Sequence, residues 1–362
     1  MPDRSRRGSA LVKARLAGAA MAAARVVPNV AYRRLIVRNG FGLCYHLVSD
    51  RARAHVRNPS KTPEQFERDL VYLKRHFRVL SYAEFSAARA AGRGPGPRDV
   101  LLTFDDGLAE CYAVARPLLL KHGLPCTFFV ATDALDNRQI LGVSLAPLAL
   151  ERFRELGPDA AALMNREAER LGRGSDTAEG WAAWLAGLRF LGRTPELDGA
   201  CAVLGVDEAG YLAKERPYMT TAEVRALAAD GFTIGGHTRS HRLVRAMSQA
   251  EMEDEVAGSC ARVREITGDA EVPFAFPFTG TGVRIADVEA VRARHPYVGL
   301  FFGMGLRRSP PYVVDRVWAD PPPPPESRGS SLPANLNAEY AARMIGKVAG
   351  ALRPGRRIST TL

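Results

Sequence analysis

The sequence lacks the features that identify membrane-spanning, disulfide-stapled or zinc-ribbon proteins. No run of about 18 apolar residues occurs in the 362 residues, so a conventional transmembrane helix is not expected. The five cysteines are scattered and form no Cys-x-x-Cys pair, which is typical of reduced, buried thiols. No internal repeat is evident. The hydrophobic fraction of 46% is typical of a globular chain, and the length indicates two domains or one large α/β barrel with insertions.

Acidic residues are nearly missing from both ends of the chain, which carries a net charge of +11 as a whole. Residues 1–39 hold nine Lys or Arg and one Asp, and residues 340–362 hold five Lys or Arg and no acid. A nucleic-acid binder would spread its basic residues over a folded face, so we expect no nucleic-acid partner. The basic ends fit peripheral contact with an anionic membrane surface, or simple solubility, equally well.

The N-terminal segment has the order of a secretory signal but not its composition. The basic stretch Met1–Arg15 precedes the short apolar run Leu16–Ala24, but this run is mostly alanine and Arg25 follows it directly. A basic amphipathic helix that ends before Pro28 explains the segment equally well. We therefore expect an uncleaved arm over residues 1–39, in a protein that is cytoplasmic or associated with a membrane surface rather than secreted.

From residue 40 onward, apolar strand-like runs alternate with helix-like segments. The strand-like runs are Phe41–Tyr45, Val100–Phe104, Cys126–Ala131, Phe232–Gly235, Phe274–Phe276, Tyr297–Phe302 and Tyr312–Val314. One of the helices between them is predicted over Thr62–Phe77, because Thr62 followed by Pro63 is typical of a helix start. Strands separated by helices predict a parallel sheet, and about seven such units predict an α/β fold that closes into a barrel.

Two segments interrupt this alternation. Residues 138–214 lack strand signals and carry apolar residues at helical spacing, which predicts a helical insertion. The five prolines Pro321–Pro325 favour a stiff polyproline II segment. They begin a region, residues 321–362, that we interpret as a linker, a last helix over Ala338–Leu352 and a basic tail. The barrel domain is therefore expected over residues 40–320.

Two adjacent carboxylates follow the strand-like run Val100–Phe104. Asp105 and Asp106 repel each other, so their proximity indicates that a cation lies between or beside them. Gly107 then lets the backbone turn sharply. The alternative is that an aspartate here caps the next helix, which by itself would explain most Asp-Asp-Gly triplets.

A pair of histidines follows another strand-like run. His237 and His241 are four residues apart, so we expect them on one face of a helical turn, close enough to bind one metal ion. Such a pair alone is also common on helix surfaces. In a barrel, however, the ends of parallel strands meet at the active-site face, which would bring both motifs together. One Asp and two His leave a metal an open position, and the other Asp can act as a base, which predicts metal-assisted hydrolysis.

These motifs resemble those of a known family. The sequences TFDDG at residues 103–107 and HTRSH at residues 237–241 are similar to the motifs of the polysaccharide deacetylases, carbohydrate esterase family 4, also called the NodB homology domain. The resemblance extends over about residues 40–318 and includes Tyr45-His46 and Phe276–Gly280. It implies a distorted (β/α)7 barrel that removes an N-acetyl group from an amino sugar in a polysaccharide, oligosaccharide or glycoconjugate.

The resemblance also implies a role for each motif residue. Asp105 is the general base, and Asp106, His237 and His241 are the metal ligands. The backbone N–H of Phe278 is the expected donor to the oxyanion. Zinc is the usual metal in that family, although a site of one oxygen and two nitrogen ligands also accommodates cobalt, nickel or iron.

The sequence departs from the family pattern at two points. Ala275 stands where an arginine that orients the base is expected, and we hypothesise that Arg316 reaches the same carboxylate from another strand. The family's late histidine, the usual general acid, is missing after Trp318. His46, at the end of the first strand, is therefore the preferred general acid, ahead of His295.

Three functional hypotheses follow. The leading one is an N-acetyl amino sugar deacetylase. The others are a glycan-binding relic that has lost turnover, or a hydrolase of another non-peptide C–N bond on the same scaffold. Trp181 and Trp184 in the insertion could stack on sugar rings, although their helical spacing favours packing in the core of the insertion. His55, His76 and His122 are interpreted as solvated or helix-end histidines.

Overall fold

The structure is a computed structural model that describes residues 39–56, 58–92, 94–305, 309–322, 329–351 and 361–362. Almost all of the N-terminal arm expected over residues 1–39 therefore lies outside the described residues. The strands are β1 Phe41–Tyr45, β2 Arg78–Val79, β3 Asp99–Phe104, β4 Thr127–Val130, β5 Thr233–Gly236, β6 Val272–Ala275, β7 Val298–Met304 and β8 Val313–Trp318.

The sheet closes on itself because β1 pairs in parallel with both β3 and β8. The order around the ring is β1, β3, β4, β5, β6, β7 and β8, and the short β2 pairs with β3 outside this ring. All pairings are parallel, so the carboxyl ends of the strands lie at one end of the barrel. The predicted (β/α)7 barrel is confirmed.

Twelve α-helices surround or extend the barrel within the part of the chain that the structure describes. They are α1 Pro63–His76, α2 Tyr82–Ala90, α3 Arg116–His122, α4 Gly142–Glu155, α5 Pro158–Arg166, α6 Ala178–Leu188, α7 Pro195–Leu204, α8 Glu208–Glu215, α9 Thr221–Ala229, α10 Gln249–Thr267, α11 Ile285–Arg294 and α12 Leu332–Ala351. A π-helical turn, Cys111–Ala115, leads directly into α3. None of the described helices is both long and apolar enough to cross a membrane.

Local sequence signals explain where α1 begins. The Thr62 hydroxyl accepts a hydrogen bond from the Gln65 backbone N–H at 3.2 Å, and the Gln65 side chain accepts one from the Thr62 N–H at 3.0 Å. This capping box satisfies two N–H groups that the helix leaves free, and such a cap stabilises a helix by about 1 kcal/mol. The helix therefore begins at Pro63, as predicted.

The barrel strands appear as unbroken apolar runs because both of their faces are buried. Every residue of β1, β3 and β4 is buried, the outer face packing against helices and the inner face filling the barrel. The Phe104 ring stacks between Tyr45 and Phe128, with centroids 5.4 Å and 5.5 Å away. This packing holds the end of β3 rigidly at the point where the aspartate pair follows.

Helices α4 to α8, within residues 142–215, pack around a hydrophobic core of their own. Trp181 is fully buried in this core and donates a hydrogen bond from its indole N–H to Asn165 at 2.8 Å. Trp184 packs edge-on against Trp181, and Arg173 lies over both rings. The sugar-stacking hypothesis is wrong for Trp181, because no ligand can reach it. The proposed domain boundaries stay a prediction.

Two element boundaries differ from the expectation. β8 runs to Trp318 rather than ending at Val314. Arginine normally ends an apolar run, but Arg316 is buried, so the strand continues through it. The last helix begins at Leu332 rather than Ala338. Residues 323–325 of the proline run lie outside the described residues.

Candidate active site

The candidate residues lie around one cleft of about 310 Å³ at the carboxyl end of the barrel. Asp105 and Asp106 follow β3. His46 follows β1, His237 follows β5, and Arg316 lies within β8. All five side chains line the cleft. The parallel sheet therefore gathers residues that are far apart in the sequence, as expected for the active-site face of a barrel.

Asp106, His237 and His241 form a compact cluster of ligand atoms. Asp106 Oδ1 lies 3.0 Å from His241 Nε2 and 3.4 Å from His237 Nε2. One ligand atom from each residue lies within 4.8 Å of the others. Asp106 Oδ1 is buried and has no hydrogen-bond partner among the described residues. Because an unpartnered buried carboxylate oxygen is unfavourable, these side chains fit a divalent cation that would satisfy it.

The two histidines approach each other through a folded-back loop and not through a helical turn. Thr238 and His241 both have left-handed backbone angles, with φ of 60° and 57°. The Thr238 hydroxyl accepts a hydrogen bond from the His241 N–H at 2.9 Å and donates one to the His237 carbonyl at 2.6 Å. The expected helical turn is therefore wrong. The loop nevertheless brings the ring centroids of His237 and His241 to within 4.9 Å of each other.

The surroundings of His237 orient its ring for metal binding. The Ala275 carbonyl oxygen lies 2.8 Å from His237 Nδ1 and accepts a hydrogen bond from it. This bond places the ring proton on Nδ1 and leaves the Nε2 lone pair directed toward Asp106, an arrangement common in metal-binding histidines. Burial opposes ionisation of Asp106, but the neighbouring His241 brings the pKa of its carboxyl well below the ordinary value.

Asp105 is clamped by a buried arginine. Arg316 Nη1 donates to Asp105 Oδ1 at 2.6 Å, and Nη2 donates to Oδ2 at 2.8 Å. Arg316 also donates to the Thr103 hydroxyl at 3.1 Å. Burial by itself would raise the pKa of Asp105, but the guanidinium overrides this effect and lowers it. The structure thus places Arg316 on the carboxylate that the sequence hypothesis named, and holds that carboxylate ionised and oriented.

The two neighbouring carboxylates point to different partners because the chain turns sharply between them. Asp105 continues the sheet through a hydrogen bond from its N–H to the Tyr45 carbonyl at 2.9 Å. Asp106 and Gly107 then have φ of 74° and 76°. Neither aspartate accepts a described hydrogen bond from the backbone of the helical segment that follows. The helix-cap alternative is therefore wrong for this pair.

His46 is paired with an aspartate that the sequence reasoning missed. Asp320 accepts a hydrogen bond from the His46 backbone N–H at 2.8 Å, and its Oδ2 lies 2.6 Å from His46 Nδ1. Burial alone would lower the pKa of His46, but the Asp320 carboxylate raises it to about 10. The signal was an acidic residue two positions after Trp318, at the end of the last strand. His295 instead lies 2.8 Å from Glu253 and does not line the cleft.

His55 also lines the cleft, contrary to its interpretation as a solvated histidine. Its side chain is only 3% exposed, and its Nδ1 lies 2.7 Å from the hydroxyl of Tyr211 in α8. Burial, assisted by the nearby Arg53, lowers the pKa of His55 to about 4. The ring is therefore neutral near pH 7.

Comparison with known proteins assigns the family. Residues 92–170 and 193–295 match the family model described as polysaccharide deacetylase. The two matched segments make up about half of the chain and contain both the aspartate pair and the histidine pair. The chain belongs to the polysaccharide deacetylase family. The sequence resemblance is confirmed.

Two curated members of this deacetylase group share short stretches with the chain. The poly-beta-1,6-N-acetyl-D-glucosamine N-deacetylase of Staphylococcus epidermidis is 30% identical over 91 residues, which cover 25% of this chain and 31% of that protein. YxkH of Bacillus subtilis, a candidate polysaccharide deacetylase, is 30% identical over 100 residues, which cover 27% of this chain and 34% of that protein. The chain thus aligns with about a third of the length of each relative.

A solved structure of a deacetylase shows the same fold. The Streptococcus pyogenes deacetylase PplD, in complex with acetate, superposes with a TM-score of 0.50 and 15% identity. The superposition covers 84% of this chain and 99% of that chain. This likeness supports the barrel and leaves the chemistry to the residues of the cleft.

Proposed function

We propose that the protein is a metal-dependent hydrolase that removes the N-acetyl group from an amino sugar of a polysaccharide, oligosaccharide or glycoconjugate. The observation that carries the proposal is the pairing of two units in one cleft. One is the Asp106, His237 and His241 cluster with its unpartnered carboxylate oxygen. The other is Asp105, which is held by Arg316 beside that cluster and 3.9 Å from His237 Nε2.

Asp106, His237 and His241 would hold the cation, and we propose zinc, with cobalt, nickel or iron as alternatives that the same ligands accommodate. A divalent cation bound there supplies Lewis acidity, which polarises a carbonyl group and makes water a better nucleophile. The carbonyl of Ala275 fixes the ring of His237 for this purpose. Each of the three residues would offer the cation one ligand atom.

Asp105 accepts the proton of the attacking water as the water oxygen bonds to the acetamide carbon. Its carboxylate has a lowered pKa, which makes it a weak base, so its contribution depends on how it is oriented toward the water. Arg316 provides that orientation through two parallel hydrogen bonds. The backbone N–H of Phe278 is proposed to donate to the oxyanion, and Phe278 lines the cleft with its ring 4.8 Å from that of His241.

His46 donates a proton to the amide nitrogen as the C–N bond breaks, which releases the free amine and acetate. Asp320 accepts a hydrogen bond from His46 Nδ1, which holds the ring and keeps it protonated at neutral pH. A protonated imidazole at the edge of the cleft is the arrangement that a general acid requires. Asp320 acts through His46 and is therefore a positioning residue.

The relic hypothesis was motivated by a missing arginine and a missing late histidine. Arg316 lies where the missing arginine would act, and His46 with Asp320 offers an acid on the same cleft. Both observations favour an active enzyme over a relic. The N-acetylated carbohydrate is the proposed partner. Contact of the basic ends with an anionic membrane surface stays a prediction, because residues 1–38 and 352–360 lie outside the described residues.

Metal analysis and acetate release test this proposal. The purified protein should contain about one equivalent of a divalent metal and should release acetate from chitooligosaccharides or other N-acetylated glycans. Removal of the metal with a chelator should stop the release, and added zinc should restore it. Metal-free protein with full activity would refute the metal dependence. Metal-loaded protein that binds these glycans without turnover would favour the relic, and release of formate from N-formyl sugars alone would favour a different C–N hydrolase.

A further inference from the structure

The helical insertion forms one wall of the cleft. Val143 and Ser144, in the first turn of α4, and Arg189, directly after α6, all line the cleft. His55, from the segment between β1 and α1, lines the same cleft and contacts α8 of the insertion through Tyr211. The wall therefore combines one barrel residue with three residues of the insertion.

The start of α4 faces the cleft without a side-chain cap. Leu141 occupies the cap position, where it can accept no hydrogen bond through its side chain. The first N–H groups of a helix have no partner within the helix, and they carry the positive end of its dipole. The helix is 14 residues long, and its first-turn residues Val143 and Ser144 line the cleft. The Ser144 N–H donates to the Leu141 carbonyl at 2.9 Å, so this end of α4 offers a positive potential and the Val143 N–H, for which no partner is described.

His55 supplies an independent observation that points to a ligand. Its Nε2 is buried and has no hydrogen-bond partner among the described residues, although the side chain is only 3% exposed. Its other nitrogen is occupied by the Tyr211 hydroxyl at 2.7 Å. The contact itself allows either direction; if the hydroxyl donates to Nδ1, the ring proton lies on Nε2, which is then a donor. A buried donor of this kind is unfavourable unless a ligand accepts its hydrogen bond.

Arg189 adds an uncommitted positive charge. Its guanidinium lies over the ring of Phe190, 4.5 Å from the centroid, and forms no ion pair with any described carboxylate. Its Nε is buried and has no hydrogen-bond partner among the described residues. The other arginine of the cleft, Arg316, is fully buried and bonds Asp105 through both of its terminal nitrogens, so that only its Nε has no hydrogen-bond partner among the described residues. Arg189 is therefore the cleft arginine available to a ligand.

The two carboxylates that line the cleft have other partners and do not neutralise the positive charge of this wall. Asp105 is paired with Arg316, and Asp106 faces His237 and His241. The wall presents the Val143 N–H at the start of α4, His55 Nε2 and Arg189 Nε without described partners. The ligand chemistry that complements such donors is an oxyanion, for which arginine and helix N-termini are the common protein partners.

We propose that this wall, made of the start of α4, His55 and Arg189, is a subsite for an anionic group of the substrate. The N-acetylated sugar would then carry a phosphate or a carboxylate near its acetamide. This inference rests on the proposed deacetylase function and names the substrate class that the same cleft takes. The helical insertion is thereby assigned a role in selecting the substrate.

Binding and turnover of matched sugars test the subsite in the zinc-loaded full chain. Calorimetry and acetate release are measured with N-acetylglucosamine, N-acetylglucosamine 1-phosphate and N-acetylmuramic acid, which are neutral, phosphorylated and carboxylated. We expect at least one anionic sugar to bind about tenfold or more tightly than the neutral sugar. The tighter of the two anions identifies phosphate or carboxylate as the group recognised.

Two cleft variants and one matched control locate the preference. Arg189→Met should lower the affinity for the anionic sugar by about 10- to 100-fold and should lower the affinity for the neutral sugar much less. His55→Phe should weaken the same preference by about 3- to 30-fold, because it removes one donor. Arg292→Met is the control: Arg292 also lies over a ring, that of Tyr312, and its Nε also lacks a hydrogen-bond partner among the described residues. Because it does not line the cleft, its replacement should leave the preference unchanged.

The outcomes separate the two proposals. Equal affinity of the wild-type protein for neutral and anionic sugars overturns the subsite, and so does a preference that survives both Arg189→Met and His55→Phe. Acetate release from neutral and anionic sugars at equal efficiency overturns the subsite while it supports the deacetylase function. Tight, Arg189-dependent binding without acetate release supports the subsite and refutes the enzymatic function.

Discussion

The barrel and the helical insertion contribute different things to the same cleft. The barrel supplies Asp105, Asp106, His237 and Arg316, each within or directly after a strand of one hydrogen-bonded ring. The insertion supplies Arg189 and the start of α4, which sit on helices with a separate hydrophobic core. The comparison indicates that the residues proposed for the reaction are positioned by the sheet. The residues of the cleft wall lie on a separate helical unit, so their side chains can differ without altering the sheet.

The largest effect on acetate release should come from replacing the two aspartates, and each replacement should lower the rate for a different reason. Asp105→Asn keeps the metal cluster but removes the base, so acetate release should fall by about 100- to 10,000-fold with the metal content unchanged. Asp106→Asn removes a ligand and should lower the metal content as well. Metal analysis beside the rate measurement distinguishes the two. Equal metal loss in both variants would show that Asp105 is a ligand and not the base.

Arg316→Ala tests the clamp within the barrel. The change leaves the buried Asp105 carboxylate unpaired, which typically costs about 3–5 kcal/mol of stability and should also slow acetate release. Denaturant unfolding measures the loss of stability, and the deacetylation rate measures the loss of activity. Arg316→Lys keeps the charge but not the two parallel hydrogen bonds, so both losses should be smaller than in Arg316→Ala. A rate near that of the wild type in Arg316→Ala would remove this arginine from the site.

The pH profile sharpens the assignment of the general acid. Because Asp320 raises the pKa of His46 to about 10, the acid stays protonated and competent until the pH rises through that value. In Asp320→Asn, the pKa should fall toward the ordinary histidine range, since burial is then opposed only by the smaller effects of Asp106 and Asp105. Activity at pH 8 should drop by about 30-fold or more relative to pH 6. An unchanged alkaline limb of kcat/KM would exclude His46 as the titrating acid.

The His46–Asp320 pair also makes the stability of the fold depend on pH, in a direction that the pKa shift determines. The raised pKa of His46 means that its pairing stabilises the fold fully below the unfolded value and that this stabilisation is lost as pH rises through the folded value. For Asp105 the lowered pKa reverses the direction, so its contribution is lost as pH falls. Unfolding at several pH values in the wild type and Asp320→Asn separates this effect from catalysis.

The smallest effect on catalysis should come from the core of the insertion. Trp181→Ala removes a fully buried ring and should destabilise the insertion by about 3–5 kcal/mol. Because the barrel has its own core, metal content and kcat on a neutral substrate should change by less than about threefold. Hydrogen exchange should show faster opening of α4 to α8 alone. Loss of the metal in this variant would show that the two regions fold as one unit.

The sequence predicted those parts of the fold that depend on local patterns. The bounds of β1 agree with the expected strand Phe41–Tyr45, and α1 begins at Pro63 after Thr62 as expected, because an unbroken apolar run and a capping residue are local signals. The candidate metal ligands were also found from the sequence, since their spacing is short and each motif follows a strand. The same reasoning gave a helical turn for His237–His241, which two left-handed residues instead fold back.

Contacts between distant segments could not be predicted in this way. Asp320 lies 274 positions from His46, and the sequence near either residue does not indicate that the two are in contact. His55 was interpreted from the sequence as a solvated or helix-end histidine. Its burial follows from contact with Tyr211, 156 positions later in the insertion. Only the packing of that helix against the loop removes His55 from water.

The order of strands and helices, the position of each motif after a strand, and the chemical character of the ligands were determined by the sequence alone, because each depends on residues close together along the chain. The identity of the partners was decided by the tertiary structure: which carboxylate meets Arg316, which acid holds His46, and which donors remain free. Those pairings depend on closure of the barrel and on docking of the insertion, which set distances in space that no spacing along the chain encodes.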